Sequence, residues 1–240
     1  MKQVLQDLRS GSVSVRDVPE PTAEPGRVLV AVERSLISAG TERASATLGA
    51  KSLLQKARAR PDLVRKTIDV ARAEGVAAAA TKVRGRLDRY SAFGYSLSGR
   101  VLDTGGDPRL VPGAAVACVG AGYASHAEVV SVPSNLVVPV PPGVAADAAA
   151  FAAPAAIALH AIRLSKAGPG AVVAVVGLGL IGQLAGRLLR ASGIRAIGTD
   201  PRDDRRALFG DAADAGGVRE LLDAASRGRG ADAVLVCAAT

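Results

Sequence analysis

The first fifty residues carry an alternating pattern of apolar and polar positions. VLQDL, SVSVRDV and RVLVAVERSLI each read as strands, with breaks at Gly11 and at Pro19-Glu20-Pro21. Between 51 and 89 the pattern changes. LLQKARA, PDLVRKTIDVARAEG and AAAATKVRGRLDR are helix-forming and basic, and Pro61 suits the first turn of a helix. Short strands then return in YSLSGRVLDTG, AAVACVG, HAEVVSVP and NLVVPVP, separated by Gly- and Pro-rich turns. That spacing predicts a small barrel or a strongly bent sheet.

Pro139, Pro141, Pro142 and Gly143 mark a boundary. The Ala-rich segment after them, VAADAAAFAAPAAIALHAIRLSKAG, reads as helix and stops at Gly168-Pro169-Gly170. From there strands and helices alternate: AVVAVVG, LIGQLAGRLLRASG, IRAIGTD, PRDDRRALFG, GGVRELLDAASRG and DAVLVCAA. Alternation of this kind predicts a parallel sheet with crossover helices. The expected class is therefore α/β, with a β-rich domain over 1–145 that holds a basic helical insertion at about 51–89, and a doubly wound domain over 146–240.

The clearest chemical signal is the turn after AVVAVV, Gly177-Leu178-Gly179-Leu180-Ile181-Gly182. A bare G-x-G-x-x-G is weak. Here it follows an apolar strand, opens a helix, and precedes a second strand ending in Asp200. Gly177 permits the tight turn, Gly179 admits a pyrophosphate close to the backbone, and Gly182 lets the helix pack on the strand. The amides at the helix start face anionic phosphate. Asp200 lies 18 positions after Gly182, close to the spacing of an acid that accepts from ribose hydroxyls. This selects NAD(H). Arg202, Arg205 and Arg206 follow it and keep NADP(H) as the less favoured cofactor, or else they form an exposed helix face.

Composition narrows the field further. Apolar residues are 49% of the 240, aromatics only 2%, and Trp is absent, so stacking platforms for single-stranded nucleic acid are excluded. The net charge of +8 is spread widely, which fits anionic small ligands better than nucleic acid. No uninterrupted apolar run reaches 18 residues, so no membrane span is expected. Cys118 and Cys237, the two cysteines, sit in apolar strands as small core residues, and a reduced cytoplasmic setting is expected.

The order of parts resembles the medium-chain dehydrogenase/reductase superfamily. Ile37-Ser38-Ala39-Gly40-Thr41-Glu42 resembles its I-C-G-T-D segment, and Gly94-Tyr95-Ser96-Leu97-Ser98-Gly99 its G-H-E-x-x-G segment. Gly122-Tyr123-Ala124-Ser125-His126-Ala127-Glu128-Val129 resembles its G-x-x-A-E-Y/V strand, and Gly177 to Gly182 its cofactor turn. The resemblance implies a GroES-like substrate domain and a Rossmann domain. It implies hydride transfer between NAD(H) and an alcohol or carbonyl compound. It also implies six parallel strands, of which the sequence supplies four before Thr240, so the Rossmann domain reads as incomplete, truncated after its fourth strand.

The departures from the family are chemical. Ala39, Tyr95 and Ser96 stand where zinc-bearing relatives have Cys, His and an acid, and the four-cysteine lobe is absent. No zinc is expected. The resemblance then assigns proton chemistry to Thr41, at the hydroxyl-relay position, and to Tyr95, whose O–H would reach a substrate oxygen; Ser38 and Ser96 are weaker candidates. His126 reads as a hydrogen-bonded structural histidine in a strand, and His160 as a residue of the Ala-rich helix near the cleft of relatives. ISAGTER followed by a helical insert resembles a subgroup associated with polysaccharide-type biosynthesis and often fused to a second oxidoreductase module, which implies a sugar-like small-molecule substrate. A homodimer is expected for the full-length form. The alternative reading is a non-catalytic dinucleotide-binding module or an inactive fragment of such an enzyme.

Overall fold

The computed structural model describes residues 1–8, 10–38 and 90–238, with isolated positions between 40 and 75. Most of the basic 51–89 segment, and with it the helical reading made there, lies outside the described residues. The chain divides into two compact units, Met1–Phe151 and Ala152–Thr240.

The first unit is built from two antiparallel sheets. β1 (Lys2–Asp7), β2 (Val13–Asp17) and β4 (Tyr90–Ala92) form the smaller one, in the order β2-β1-β4. β3 (Arg27–Ser35), β5 (Ser96–Asp103), β6 (Ala115–Val119), β7 (Val129–Pro133) and β8 (Val137–Pro139) form the larger, in the order β7-β3-β5-β6-β8. The period-two pattern does what it predicts. Val28 and Val30 of β3, Leu97 and Val101 of β5, Val116 and Cys118 of β6, and Val130 and Val132 of β7 all enter one buried core.

The larger sheet curls. Its β3–β5 ladder shifts register between Leu29 and Val30 and again between Val32 and Arg34, and bulges of this kind bend a strand and raise its twist. Gly99 faces this bend: a Cβ there would lie 2.1 Å from the Ala31 carbonyl oxygen. The two sheets are stitched by the segment before β7, where Val4 donates to the His126 carbonyl (2.9 Å) and Glu128 to that of Lys2 (3.1 Å).

The Ala-rich segment forms two helices rather than one. α1 (Ala146–Ala149) belongs to the first unit, because Ser96 Oγ donates to the Ala150 carbonyl at 2.6 Å and Ser98 Oγ to that of Ala146. The boundary between units accordingly falls at 151/152, later than the prolines suggest. α2 (Ala152–Ser165) opens the second unit, with Pro154 in its first turn where a missing N–H costs nothing.

In the second unit, β9 (Val172–Val176), β10 (Arg195–Thr199), β11 (Ala212–Ala213) and β12 (Ala233–Val236) lie parallel in the order β11-β10-β9-β12. Numbered within the unit, that is 3-2-1-4, the arrangement of a doubly wound sheet around its first strand. α3 (Leu180–Ala191), α4 (Asp203–Phe209) and α5 (Val218–Ser226) are the connecting helices. β9 is buried along nearly its whole length, as expected of a central parallel strand.

Phe209 locks α3 and α4 to the sheet. Cβ atoms at Gly186 and Gly198 would fall 2.3 and 2.8 Å from its ring, so two glycines make the slot it fills. Arg190 covers the ring at 4.4 Å and donates to the Phe209 carbonyl at 2.8 Å. Phe209→Ala is expected to destabilise the second unit by ~3–5 kcal/mol through cavity formation. Gly186→Ala should cost ~1–3 kcal/mol through overpacking. Urea unfolding followed by circular dichroism reads both; a Gly186→Ala cost below ~0.5 kcal/mol would contradict the slot.

Candidate functional site

The glycine turn sits between the end of β9 and the start of α3. Gly177 holds φ +89°, and a Cβ there would lie 2.6 Å from the Ala238 amide nitrogen. A Cβ on Gly182 would lie 2.0 Å from the Gly177 carbonyl oxygen, so helix and turn touch backbone to backbone. Gly179 differs from both: nothing lies within 4 Å of where its Cβ would be. Its backbone is extended, and it caps the N-terminus of α3 without a side-chain bond and with no acidic residue in the first turn. Leu178 points the other way and is fully buried in the core. Leu180 and Ile181 are half-buried at the helix start. The turn thus presents one open backbone face beside helical N–H groups and the positive end of the helix dipole, an arrangement suited to an anion.

Asp200 follows β10 directly, and its side chain is only 2% exposed. Its Oδ2 accepts from the Leu178 amide at 2.8 Å and from Arg205 Nη1 at 3.3 Å. Its Oδ1 accepts from the Arg202 amide at 3.0 Å. A carboxylate has about four acceptor positions, so one remains. Burial pushes the Asp200 carboxyl up, but the amides of Arg202 and Leu178, together with the Arg205 guanidinium, outweigh it and hold the group below the usual carboxylate range.

The three arginines are engaged locally. Arg202 Nε and Nη2 bind Asp204 at 2.9 and 2.6 Å. Arg206 donates to the Asp200 carbonyl at 2.6 Å and to Asp203 Oδ1. Arg205 contacts Asp200 itself, with its side chain 41% exposed.

In the first unit, three segments singled out in the sequence converge on one imidazole. His126 lies in the bend before β7, not within the strand. Its Nδ1 is 2.9 Å from Ser35 Oγ, and its Nε2 is 3.1 Å from Glu42 Oε1. Glu42 Oε1 also accepts from the Ser38 amide at 3.0 Å. Gly94, at φ +97°, leaves room for the ring: a Cβ there would lie 3.1 Å from His126 Cε1 and Nδ1. Tyr95, the next residue, is half-buried, and its carbonyl accepts from Gly120 at 2.9 Å.

Ser96 is fully buried and has its hydroxyl on the Ala150 carbonyl. Thr41 and Ala39 lie outside the described residues. Among the described residues no three His, Cys, Asp or Glu side chains stand close enough together to share a metal ion. Burial raises the Cys118 thiol to about 12 and raises that of Cys237, so neither is a ready thiolate. The sequence pointed to His126 as a structural residue and missed its pairing with Glu42 and Ser35. Their separations of 84 and 91 positions leave no local pattern to read.

Two outcomes follow. Gly179→Ala should leave stability within ~0.5 kcal/mol of wild type, because its Cβ enters open space, whereas Gly182→Ala should cost ~1–3 kcal/mol or more. The depressed Asp200 carboxyl contributes stability that is present above the unfolded carboxylate range of about 4 and is lost as pH falls through its lower folded value. Acid titrations of the unfolding midpoint should therefore show a loss of stability below about pH 4 that is smaller in Asp200→Asn; an unchanged acid limb would contradict this.

No protein-family model matches the chain, and no curated protein matches it in sequence. Solved structures match its fold. The quinone oxidoreductase from Thermus thermophilus, also solved in complex with NADPH, aligns over 98% of this chain and 65% of its own, with 25% identity and a TM-score of 0.65. Alcohol dehydrogenase TADH from Thermus sp. ATN1 aligns over 100% and 71%, at 17% identity and a TM-score of 0.72. An alcohol dehydrogenase superfamily protein from Novosphingobium aromaticivorans aligns over 98% and 65%, at 20% identity and a TM-score of 0.72. The chain thus spans about two thirds of the length of these proteins. Among the described residues no helix is long and apolar enough to cross a membrane. In fold, the chain is similar to these quinone and alcohol oxidoreductases.

Proposed function

We propose that the second unit binds a nicotinamide dinucleotide, NAD(H) in preference to NADP(H), and that the chain serves as an oxidoreductase on an alcohol or carbonyl compound, sugar-like in character. The observation that carries this reading is the glycine turn, closed at Gly177 and Gly182 but open at Gly179, with a buried carboxylate bonded to its central amide.

Gly179 and the amides of Leu180, Ile181 and Gly182 would receive the pyrophosphate. Asp200 would accept from a ribose hydroxyl at its remaining acceptor position, or at the one now held by Arg205 at 3.3 Å, the longest of its three bonds. A 2′-phosphate at the same place would meet the buried carboxylate, and Arg202 and Arg206 are already committed to Asp204 and Asp203. When bound, the nicotinamide ring accepts or gives a hydride at the substrate carbon.

Hydride transfer also requires a group that gives or takes a proton at the substrate oxygen. Tyr95 and Thr41 supply hydroxyls for this, and the reading does without zinc. At the positions where zinc-bearing relatives have His and an acid, this chain has a phenol and a serine hydroxyl already donated to a backbone carbonyl. Oxygen donors of that kind are poor zinc ligands.

Fluorescence titration tests the reading. NADH should bind at least about tenfold more tightly than NADPH, and Gly179→Ala should weaken NADH by about tenfold or more while the fold is retained. Tighter NADPH binding would reverse the cofactor assignment. Binding of NADH with no oxidation across a broad carbonyl panel would replace the enzyme reading with that of a non-catalytic cofactor-binding module.

A further inference from the structure

We propose that Gln183 determines cofactor specificity: its carboxamide bridges the glycine turn to α4 and, by fixing Arg205 beside Asp200, favours a free ribose 2′-hydroxyl over a 2′-phosphate. This role rests on the cofactor reading above and lies within the second unit alone.

The bridge follows from its donors and acceptors. Gln183 is the fourth residue of α3 and half-buried. Its Nε2 donates to the Leu178 carbonyl at 3.3 Å and to the Arg205 carbonyl at 2.8 Å. Both partners are carbonyl oxygens, which only accept, so the carboxamide must turn its NH2 group and not its oxygen toward them. The two hydrogens of that group suit two acceptors. The backbone N–H of Gln183 donates to the Gly179 carbonyl at 2.9 Å. One residue thus holds two successive residues of the turn, Leu178 and Gly179, and reaches α4 with its side chain.

These bonds close into a ring around the acid. Asp200 Oδ2 accepts from the Leu178 amide at 2.8 Å, and the Leu178 carbonyl accepts from Gln183. Gln183 donates in turn to the Arg205 carbonyl, and Arg205 Nη1 returns to Asp200 Oδ2 at 3.3 Å. Arg202 and Arg206 each have an acid on α4 besides. Among the described hydrogen bonds, the Arg205 guanidinium has Asp200 alone, and its side chain is 41% exposed. A long side chain held by one such bond stands where its backbone puts it, and Gln183 fixes that backbone.

The consequence is selectivity. With α4 held to the turn, Arg205 offsets the charge of the buried carboxylate and leaves an acceptor position for a ribose hydroxyl. With the bridge cut, the Leu178 and Arg205 carbonyls lose a shared donor, and α4 gains freedom against the turn. The guanidinium is then released from the carboxylate and can pair with a phosphate, for which its planar fork is well suited. Discrimination against NADPH falls. A glutamine that only packed α3 against α4 would affect both cofactors alike.

The test measures Kd for NADH and NADPH on the full chain by fluorescence titration. Gln183→Met keeps the length of the side chain and removes the donor. It should lower the preference for NADH over NADPH by about fivefold or more while keeping the circular dichroism of wild type. Gln183→Asn, which withdraws the amide by one carbon, should do likewise. In an Arg205→Met background, Gln183→Met should move the preference by less than about twofold, because the bridge acts through Arg205. In the nitrogen-15-labelled wild-type chain, the Gln183 side-chain NH2 should be protected from solvent exchange and should shift on addition of NADH. Exchange as fast as that of an exposed glutamine overturns the bridge. A preference in Gln183→Met within about twofold of wild type, or an equal change in both backgrounds, overturns the specificity role alone. Binding of neither cofactor by the wild-type chain overturns the dinucleotide reading and the role of Gln183 with it.

Discussion

The second unit is organised around one carboxylate. Asp200 sits at the end of β10, yet its oxygens are bonded to the amide of Leu178 in the glycine turn and to that of Arg202 before α4. One buried side chain therefore ties the first strand's turn, the second strand and the following helix together. The backbone contact at Gly182 adds a second constraint, since α3 can approach the turn only if no Cβ intervenes. Together they leave the backbone at Gly179 facing outward. The same residue that would choose between cofactors also builds the surface on which a cofactor would lie.

Much of this was legible in the sequence because it is local. The strand, the G-x-G-x-x-G turn and the helix occupy a continuous stretch, and the acid lies one strand further on. The strands read from RVLVAVERSLI and HAEVVSVP likewise form, as β3 and β7, and their Val28, Val30, Val130 and Val132 lie in the core. What sequence reading could not see was non-local. The Ala-rich segment reads as one helix, but hydroxyls of Ser96 and Ser98, some fifty positions earlier, draw its first turn into the other unit. The engagement of Arg202, Arg205 and Arg206 with nearby acids is also a matter of geometry, since the same three residues in another arrangement would form a phosphate site.

In the first unit the long-range contacts come from the curl of the larger sheet. Its curled sheet brings the end of β3 and the loops before β5 and β7 together. At that meeting point stands a histidine between a serine and a glutamate. None of the three is at a position the sequence comparison had marked for chemistry, and their contacts arise only from the fold.

The central claim is that the open face at Gly179 receives the pyrophosphate of a nicotinamide dinucleotide. Backbone amide chemical shifts in a nitrogen-15-labelled chain titrated with NADH test it most directly. Saturable shifts concentrated at Leu178–Gly182 and around Asp200 are expected. Shifts absent there, or confined to residues outside the second unit, would contradict it.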